Sequence, residues 1–440
     1  MTLPPGPPLP AFAQTALMLR WWSAFASACQ RRYGDVFTVQ LTGWGAGVYL
    51  ANPADIKTVF AGDPRIFHAG EANSVLSGML GRSSVLVLDE DVHRDRRRLM
   101  MAPFHRDAVA RQTGLITEIA AANIAAWPIG TEFSVAPKMS EITLEVILRT
   151  AIGASDPARL AALRTLMPRL LKLGSWDTLA IARPRLQRHW PWRSLRHRIA
   201  EADALLYAEI ADRRADPNLA ERTDALAMLV RAADEDGRQM TDRELRDQLM
   251  TLLLAGHDTT ATALSWAFER LVRHPAILAK AVAAAEAGDE EYLDAIAKET
   301  LRIRPVIFDV GRVLKEPVEI AGYRLDAGVT VIPAIGLVHA SPALYDQPEQ
   351  FRPERMIGAT LSPTTWLPFG GGNRRCLGAN LALAEMRVVL GEVLRRVDLD
   401  TTTSRGEQPR VSGVIHQPSR GARVRVRSHR AARALASSGT

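Results

Sequence analysis

Hydrophobic residues recur at spacings of three and four through the middle of the chain, from residue 91 to about residue 273. This period matches the 3.6-residue repeat of α-helices that bury one face. Turn residues interrupt the pattern near Pro103, Gly130, Gly153, Pro191 and Gly237. Several helices are therefore expected. Thr241 and Glu244 form a capping box, which predicts the start of a long helix over the apolar run 245–272.

Short apolar segments bounded by turn residues occur near the two ends of the chain and predict β-strands. The N-terminal segments 36–41 and 48–51 flank three glycines and predict a hairpin, with a short helix over 24–32 before it and a helix from Pro53 after it. Residues 65–91 predict irregular structure. Later strands are predicted over 318–320, 323–325 and 329–333, and in a second hairpin of 411–415 with 422–426. These patterns predict a mainly α protein with small β-sheets, of the α+β class.

The composition is that of one large folded unit. The 440 residues are 47% hydrophobic and 23% charged, and no linker or internal repeat divides them. We expect a single domain over residues 1–427 and a disordered tail over 428–440. The apolar run 11–19 meets Arg20 before it could span a bilayer, and no basic segment precedes it as in a secretory signal. We expect a cytoplasmic protein without a transmembrane anchor.

Charge and cysteine content narrow the class of protein further. The only cysteines are Cys29 and Cys376, which disfavours a disulfide framework and suits a reducing compartment. The formal charge of +7 is expected to lie mostly on a solvated surface, although a basic face could attract an acidic partner protein. A nucleic-acid binder is disfavoured, because the basic residues form no strip interleaved with aromatic residues.

Cys376 lies in a glycine-rich segment just before residues 379–396, which have clear helical periodicity. At the entrance of a helix, free N–H groups and the helix dipole stabilise a thiolate and lower the pKa of the thiol. The glycines allow the backbone to pass close to a flat ligand and to point N–H groups at the sulfur. Arg374 supplies a cation of the kind that a carboxylate-bearing cofactor requires. A free core cysteine in a glycine-rich turn is the alternative.

This segment resembles the haem-binding loop of the cytochrome P450 family. The family pattern is Phe, two variable residues, Gly, any residue, a basic residue, any residue, Cys, any residue and Gly. Every defined position matches, at Phe369, Gly372, Arg374, Cys376 and Gly378. The resemblance implies that Cys376 is the thiolate ligand of a haem iron. It also implies that the haem contacts Phe369, Gly370, Arg374, Gly378 and, on the long helix, Ala255.

A second match lies inside the predicted long helix, at Ala255-Gly-His-Asp-Thr-Thr260. Gly costs about 1 kcal/mol relative to Ala within a helix, and consecutive Thr residues are also poor helix formers. These residues suggest a groove where a small ligand presses against the backbone and hydroxyls redirect helical hydrogen bonds. In the family, the acid and the first Thr relay protons to the oxygen being activated, which assigns Asp258 and Thr259 as catalytic. A Thr pair that bends a buried helix for packing reasons is the alternative.

Three charged residues, Glu299, Arg302 and Arg355, match a buried network of the family. By itself, a Glu–Arg pair three residues apart on an exposed helix contributes under about 1 kcal/mol. In the family this network holds the segment that leads to the haem loop. We therefore expect these three residues to be structural.

Three basic residues match the family's ligands of the haem propionates. His93 and Arg97 fall on one face of a predicted helix, and Arg312 matches an Arg in the family's strand after the Glu–Arg helix. A basic cluster at the start of a helix is more often a solvated face. That is the interpretation for the intervening residues Arg94, Arg96 and Arg98.

The resemblance extends from about Pro4 to Val426 and implies the cytochrome P450 fold with haem b (iron protoporphyrin IX) as cofactor. The implied activity is that of a soluble monooxygenase that inserts one atom of O2 into a hydrophobic small-molecule substrate. Electrons are expected from a separate ferredoxin and its ferredoxin reductase, docking on a basic face near Arg374 and Arg375. We expect a monomer. The apolar candidates for lining the substrate pocket are Leu252, Ala255, Val306, Ile307 and Phe308.

The sequence departs from the family pattern at two places. The connection before the Glu299 helix is short, which should alter a surface loop only. Arg304-Pro305-Val306 replaces an aromatic-or-His, Pro, Pro run where the family contacts substrate, so the substrate is not predicted. A haem-thiolate enzyme that uses peroxide or needs no oxygen is an alternative, which Asp258 and Thr259 disfavour. A haem- or lipid-binding sensor without turnover is another.

Overall fold

The computed structural model describes residues 3–154, 156–171 and 192–430, together with Ile181, Arg185 and Arg188. Helices dominate this part of the chain, as the hydrophobic period predicted. The helices are α1 (Ala11–Tyr33), α2 (Pro53–Ala61), α3 (Ala69–Ala72), α4 (Ser77–Leu80), α5 (Glu90–Met100), α6 (Arg106–Ala110), α7 (Thr113–Ile124), α8 (Ala136–Ile147), α9 (Pro157–Leu171), α10 (Arg193–Ala215), α11 (Ala225–Arg231), α12 (Asp242–Leu271), α13 (Pro275–Ala287), α14 (Glu290–Ile303), α15 (Ile335–His339) and α16 (Ala379–Arg396).

The strands are short and form small sheets near the two ends of the chain. They are β1 (Val36–Leu41), β2 (Gly45–Leu50), β3 (Phe67–His68), β4 (Glu132–Ser134), β5 (Arg312–Leu314), β6 (Val318–Ile320), β7 (Tyr323–Leu325), β8 (Thr330–Pro333), β9 (Val397–Asp400), β10 (Pro409–Ser412), β11 (Ile415–Pro418) and β12 (Arg423–His429). The main sheet has the order β1-β2-β8-β5-β3, with β2 and β8 parallel. This sheet joins strands from residues 36–68 to strands from residues 312–333, and the predicted α+β class is confirmed.

The predicted pairing of residues 411–415 with residues 422–426 is wrong. β10 turns back at once and pairs with β11, so that Ser412 lies opposite Ile415. Gly413 has a φ of +59°, which glycine adopts at little cost and a tight hairpin turn requires. β12 pairs instead with β4 and β9 and runs to His429, past the expected domain end at residue 427. Residues 431–440 of the predicted tail lie outside the described residues.

The first helix is longer than predicted, because α1 begins at Ala11 directly after Pro10 and not at residue 24. Trp21 has non-helical dihedral angles, φ −141° and ψ 45°, which kink the helix. The apolar run 11–19 is therefore the first half of this helix. The predicted irregular segment 65–91 contains β3, α3 and α4, each of four residues or fewer. Residue 155 and most of residues 172–191 lie outside the described residues.

The 30-residue helix α12 forms the centre of the core. Its capping box is present: Thr241 Oγ1 accepts from the Glu244 amide at 3.3 Å, and Glu244 Oε2 accepts from the Thr241 amide at 2.9 Å. Each fully buried large apolar side chain contributes about 1.5–3 kcal/mol. Along α12 the fully buried ones include Leu249, Leu253, Leu264, Trp266 and Phe268. α12 packs against α8, α14 and α16, which places it beside the helix that follows Cys376.

Gly256 has a different role from the one its sequence suggested. The helix continues through it without interruption. A Cβ at this position would lie 2.8 Å from Ile147 Cδ1, so glycine lets α8 approach α12 closely. Two further contacts hold this packing: Ser140 Oγ lies 2.7 Å from His257 Nε2, and Thr143 Oγ1 donates to the His257 carbonyl at 3.0 Å. Helix packing, and not a ligand groove, explains this glycine.

Glu299, Arg302 and Arg355 form the buried network that the family resemblance implied, here called the Glu299 network. Arg302 donates to both carboxylate oxygens of Glu299 at 2.8 Å, and Arg355 Nε donates to Glu299 at 3.0 Å. The remaining guanidinium N–H groups of Arg302 bond to three main-chain carbonyls of the segment between α15 and residue 350. The network therefore fastens α14 to the chain segment that precedes the Cys376 loop.

Candidate functional site

The loop that carries Cys376 is held by main-chain hydrogen bonds and by close contact with α2. The Cys376 amide donates to the Phe369 carbonyl at 2.9 Å, and the Arg375 amide donates to the Gly372 carbonyl at 3.1 Å. Gly372 has a φ of +64°, and a Cβ on it would lie 2.1 Å from the Phe60 carbonyl oxygen. The glycine-rich loop therefore packs against α2. Gly378 then starts α16 at Ala379.

The thiol of Cys376 does not have the lowered pKa that its position predicted. Burial raises the pKa, while a hydrogen bond from the Gly378 amide and the charges of Arg375 and Arg97 oppose that rise. The side chain is accessible to a solvent-sized molecule although protein surrounds it, so it faces a cavity and not open solvent. The predicted helix-entrance effect is present but smaller than the cost of burying a thiolate. A bound cation would favour the ionised form of this sulfur.

Four basic side chains from three segments meet beside the Cys376 loop, and we call them the basic cluster: His93 and Arg97 on α5, Arg312 on β5, and Arg374. Burial, together with the charge of neighbouring cations, lowers the pKa of His93 to about 3 and the pKa values of Arg312 and Arg374 to about 10. Arg97 also has a lowered pKa through burial, and donates to the Arg375 carbonyl at 2.6 Å. The structure thus brings together Arg374 and the three residues predicted to bind haem propionates.

Asp89 is the one carboxylate bonded to the basic cluster among the described residues. It accepts from Arg374 at 2.6 Å and from the amides of Gly70 and Glu71 at 2.8 Å. Sequence reasoning missed it, because an Asp directly before a helix suggests only a cap. Its side chain makes no capping bond to α5. It therefore positions Arg374 and leaves the cluster with surplus positive charge.

On α12, the predicted residues Ala255, Asp258 and Thr259 are spaced three and four apart and share one helix face. Ala255 is exposed on a helix that is otherwise largely buried. Thr259 Oγ1 donates to the Ala255 carbonyl at 2.6 Å, as expected for a hydroxyl that redirects helical hydrogen bonds. Burial raises the pKa of Asp258, whose side chain has no hydrogen-bond or ion-pair partner among the described residues. This helix face therefore carries the Asp258 carboxyl and the Thr259 hydroxyl, and the carboxyl makes no contact that would explain it as a structural group.

The donor set and the space around it fit a haem. Cys376 offers one sulfur to an iron, and the basic cluster offers surplus positive charge for two carboxylates. Gly378 has a φ of −83°, which any residue can adopt, so the backbone conformation does not require glycine here. A Cβ at this position would also meet no atom within 4 Å. Glycine at this position therefore leaves room beside the sulfur for a flat group.

Comparison with known proteins agrees with this fit. A family model described as cytochrome P450 matches residues 4–425. Cytochrome P450 135B1 of Mycobacterium tuberculosis is 71% identical over 436 residues, which cover 98% of this chain and 92% of that protein. The chain belongs to the cytochrome P450 family. This P450 is accordingly an oxidoreductase of the haem-thiolate monooxygenase type.

Other similarities support the fold. Cytochrome P450 135A1 of the same organism is 40% identical over 426 residues, covering 96% of this chain and 95% of that protein. The retinoic acid-bound structure of cyanobacterial CYP120A1 matches this P450 with a TM-score of 0.84 at 24% identity, covering 97% and 99% of the two chains. No helix among the described residues is long and apolar enough to cross a membrane.

The predicted pocket-lining residues divide into two groups. Ala255 is exposed and Ile307 is half-buried, as residues that line a cavity would be. Phe308 instead stacks on His416 at 5.3 Å between ring centroids and fills the space at Gly336, so it belongs to the core. Leu252 and Val306 are also buried in the core. Arg304, where the family pattern differs, packs over the Trp266 ring at 5.2 Å.

Sequence reasoning also missed Asp309, which follows Phe308. Its Oδ2 accepts from the Trp22 indole at 2.8 Å and from the Tyr49 hydroxyl at 3.0 Å. Burial raises the pKa of this carboxyl to about 6. An acid within the apolar run 306–310 was the available signal. Its partners lie more than 250 positions away in the sequence, which no local pattern shows.

The predicted docking face near Arg374 and Arg375 needs one correction. Arg374 is largely buried and bonded to Asp89 and to the carbonyls of Val85 and Leu88, so it cannot contact a partner protein. Arg375 is exposed. A partner protein that docks here can contact Arg375, whereas the Arg374 side chain contacts only groups inside the protein.

Proposed function

We propose that this P450 inserts one oxygen atom of O2 into a hydrophobic small molecule and takes its electrons from a separate ferredoxin and ferredoxin reductase. The observation that carries the proposal is the basic cluster beside Cys376, whose positive charges outnumber the carboxylates bonded to it. Two propionates would balance that charge. Since Cys376 is needed for the iron and Cys29 is buried elsewhere, no cysteine is left to attach the haem covalently, which favours haem b.

The side chains around Cys376 have separate roles in holding the group. Cys376 provides the sulfur, and the Gly378 amide donates a hydrogen bond to it. Arg97, Arg312, Arg374 and neutral His93 would hold the propionates. Bound haem supplies an iron whose thiolate ligand favours O–O cleavage.

Asp258 and Thr259 are proposed to deliver protons. The raised pKa of Asp258 keeps its carboxyl closer to a protonated state than an exposed Asp, so it can hold a proton on an Oδ atom and pass it on. Thr259 Oγ1 already uses its own proton on the Ala255 carbonyl, which leaves its oxygen lone pairs available to accept from a donor. Both residues share a helix face with exposed Ala255, which supports their contact with bound substrate and oxygen.

Separate electron carriers are proposed on the cysteine content of the sequence. An iron–sulfur cluster commonly needs four cysteine ligands, and this sequence contains two cysteines. Exposed Arg375 lies next to Cys376 and suits an acidic partner surface. The unpaired cysteines favour the cytoplasm as the compartment.

The decisive experiment is single-turnover and steady-state oxidation with isotopically labelled O2. Purified haem-loaded protein is first screened for compounds that shift the Soret band, and a shifting compound is then supplied with ferredoxin, its reductase and NADPH. We expect one labelled atom in the product. Turnover with peroxide but not with the electron-transfer chain would establish a peroxide-using enzyme instead. Binding without any product across the panel would favour a sensor.

Replacing Asp258 by Asn should lower the turnover rate roughly a hundredfold, the usual scale for losing a proton-transfer group. Thr259→Val should release reduced oxygen species at the expense of product. Thr260→Val is the matched control, because Thr260 is a buried Thr on the same helix, five residues after Ala255 and therefore off the face that Ala255 shares with Asp258 and Thr259. Equal product yields for Thr259→Val and Thr260→Val would contradict the proton-delivery role.

A further inference from the structure

Asp309 is an acidic residue enclosed by protein without a charged partner. Its Oδ2 accepts hydrogen bonds from the Trp22 indole at 2.8 Å and from the Tyr49 hydroxyl at 3.0 Å, and both donors are neutral. Among the described residues, Asp309 forms no ion pair and its Oδ1 has no hydrogen-bond partner. Buried charge normally persists only when it is paired. Asp309 is therefore an acid whose counter-charge the described part of the protein does not supply.

The surroundings of Asp309 differ from those of a structural carboxylate. Both oxygens of Glu299 accept from Arg302, and Glu299 is inaccessible. Asp309 remains partly accessible although protein surrounds it, so it faces an internal space and not open solvent. Its two structural bonds both end on Oδ2. The other carboxyl oxygen, Oδ1, is therefore available to a molecule that enters this space.

The side chains that contact the Asp309 carboxyl, and those packed beside them, are aromatic. The His416 ring stacks on Phe308 with 5.3 Å between ring centroids, and Trp22 meets the same ring edge-on at 5.9 Å. Burial lowers the pKa of His416 to about 4, so this ring is uncharged at neutral pH. We define the Asp309 site as Trp22, Tyr49, Phe308, Asp309 and His416. A carboxylate among aromatic rings favours an organic cation as ligand, because the faces of such rings also attract positive charge.

The Asp309 site is fastened to the helix that carries Asp258. The His416 amide donates to the Val306 carbonyl at 2.9 Å, and the His416 carbonyl accepts from the Trp266 indole at 2.8 Å. Trp266 follows Asp258 by eight residues on α12, which corresponds to about 12 Å along the helix axis. This separation is within the length of a single organic molecule.

We propose that the Asp309 site binds a guanidinium or ammonium group of the substrate, so that the substrate is an organic cation with an apolar body. The inference rests on the proposed function only in that the bound cation is the molecule to be oxidised. Oδ1 would accept from an N–H group of the cation, and the aromatic rings would contact its charge. A neutral alcohol gains a weaker hydrogen bond there, and a carboxylate is repelled.

Titration calorimetry of the haem-loaded full chain tests this preference without requiring turnover. The ligands are dodecylguanidinium, dodecanol and dodecanoate, and the same three head groups on a biphenylmethyl body. A guanidinium stays protonated, and at about pH 8 the Asp309 carboxyl is ionised. We expect at least one guanidinium compound to bind about tenfold or more tightly than its alcohol, with the carboxylate weakest. Failure of both guanidinium compounds to bind more tightly than their alcohols overturns the proposal.

Asp309→Asn removes the charge and keeps an oxygen that can accept from Trp22 and Tyr49. Affinity for the guanidinium compound should fall about ten- to a hundredfold, while affinity for the alcohol should change less than about threefold. Asp326→Asn is the matched control, because it removes the same charge at an exposed position and should leave both affinities unchanged.

Tyr49→Phe distinguishes ligand binding from a structural role of Asp309. This change removes one of the two bonds to Oδ2, retains the charge and preserves the ring that stacks on Phe37 at 5.1 Å. The guanidinium preference should persist in Tyr49→Phe. Its loss there as in Asp309→Asn, or an equal loss for guanidinium and alcohol in Asp309→Asn, would show that Asp309 only holds the fold and would overturn the proposal. Failure of the proposed function appears separately, as binding of the cation without a labelled product.

Discussion

Two groups of buried charges flank the Cys376 loop, and they differ in balance. In the Glu299 network, every guanidinium nitrogen of Arg302 and Arg355 bonds to a carboxylate or to a main-chain carbonyl. In the basic cluster, four cationic or titratable groups share one carboxylate, Asp89, as bonded partner within the described part of the chain. Buried charge persists in proteins when it is paired. The network is complete within the protein, whereas the basic cluster needs anions from outside it.

This difference shows how a buried charged residue that stabilises the fold can be distinguished from one that binds a ligand. A buried Arg by itself indicates neither role, since Arg302 and Arg312 are both nearly inaccessible. What distinguishes them is the sum of the charges around each. Among the described residues, Arg312 lies near Arg374 and bonds only to the Gly311 carbonyl, while Arg302 donates two hydrogen bonds to the Glu299 carboxylate. Surplus positive charge beside a lone thiol is the pattern of a haem site with propionates.

The largest effect should follow from breaking the balanced network. Glu299→Ala leaves Arg302 and Arg355 without their carboxylate and should lower the free energy of unfolding by about 3–5 kcal/mol. Urea denaturation measures this loss. Glu291→Ala on the same helix is the control, because Glu291 is exposed and should change stability by less than about 0.5 kcal/mol. A small effect at Glu299 would mean that the network contributes little.

Removing one charge of the basic cluster should have a different outcome. Arg312→Leu should leave the haem-free protein at least as stable, because it removes a buried cation that neighbouring cations oppose. Haem affinity should fall about ten- to a hundredfold with the loss of a charged hydrogen bond. Transfer of haem to an acceptor protein measures the affinity, with Arg324→Leu on exposed β7 as control. A haem-free Arg312→Leu protein as unstable as Glu299→Ala would refute the comparison.

A smaller, pH-dependent effect should come from His93. Burial and neighbouring cations lower its pKa from 6.5 to about 3 in the folded protein. Below pH 6.5 the unfolded chain takes up a proton that the folded protein refuses, so stability is lost as pH falls toward 3, by up to about 1.4 kcal/mol per pH unit. Above that window His93 contributes nothing through its charge.

His93→Phe should therefore be less acid-sensitive than the unsubstituted protein. The measurement is the difference in urea midpoint between about pH 7.5 and about pH 5, with and without haem. Haem propionates would offset the surrounding cations and reduce the slope. The same slope in loaded and haem-free protein would show that His93 does not face the propionates.

The smallest effect is expected at the exposed residues that sequence reasoning assigned to solvent. Arg94 pairs with Asp91 at 2.7 Å, and both side chains are largely exposed. Arg94→Ala should change stability by less than about 1 kcal/mol and leave haem affinity unchanged. Calorimetric unfolding and the same haem-transfer assay test both expectations. A loss of haem affinity in Arg94→Ala would show that the basic cluster as defined leaves out a residue that contributes to haem binding.

The sequence predicted those parts of the molecule that depend on short-range pattern. Three features are of this kind: the capping box at Thr241, the strands near residues 318–333 and the Cys376 loop. Within each of them, the residues that form the pattern lie only a few positions apart. Family resemblance then linked distant segments, and His93, Arg97, Arg312 and Arg374 do meet. Without that resemblance, a cluster of Arg at a helix start would have been assigned to solvent.

The remaining features depend on which neighbour each residue meets. Gly256 and Gly372 are explained by Ile147 and by Phe60, which are more than 100 residues away in sequence. The pKa of Cys376 depends on a balance between burial and a helix entrance, and only the first is a property of the whole fold. Asp89 likewise gained its role from Arg374, 285 positions later. The wrong hairpin near residue 411 arose because the predicted strand 411–415 ran through Gly413, where the chain turns back into β11.

The most direct test of the haem-thiolate site is the absorption spectrum of the reduced, carbon monoxide-bound protein. We predict the Soret band typical of a thiolate ligand in the unsubstituted protein and in Cys29→Ala, whose cysteine is buried away from the loop. In Cys376→Ala that band should be absent. A thiolate-type band that survives in Cys376→Ala, or that never appears in the haem-loaded unsubstituted protein, would contradict the account.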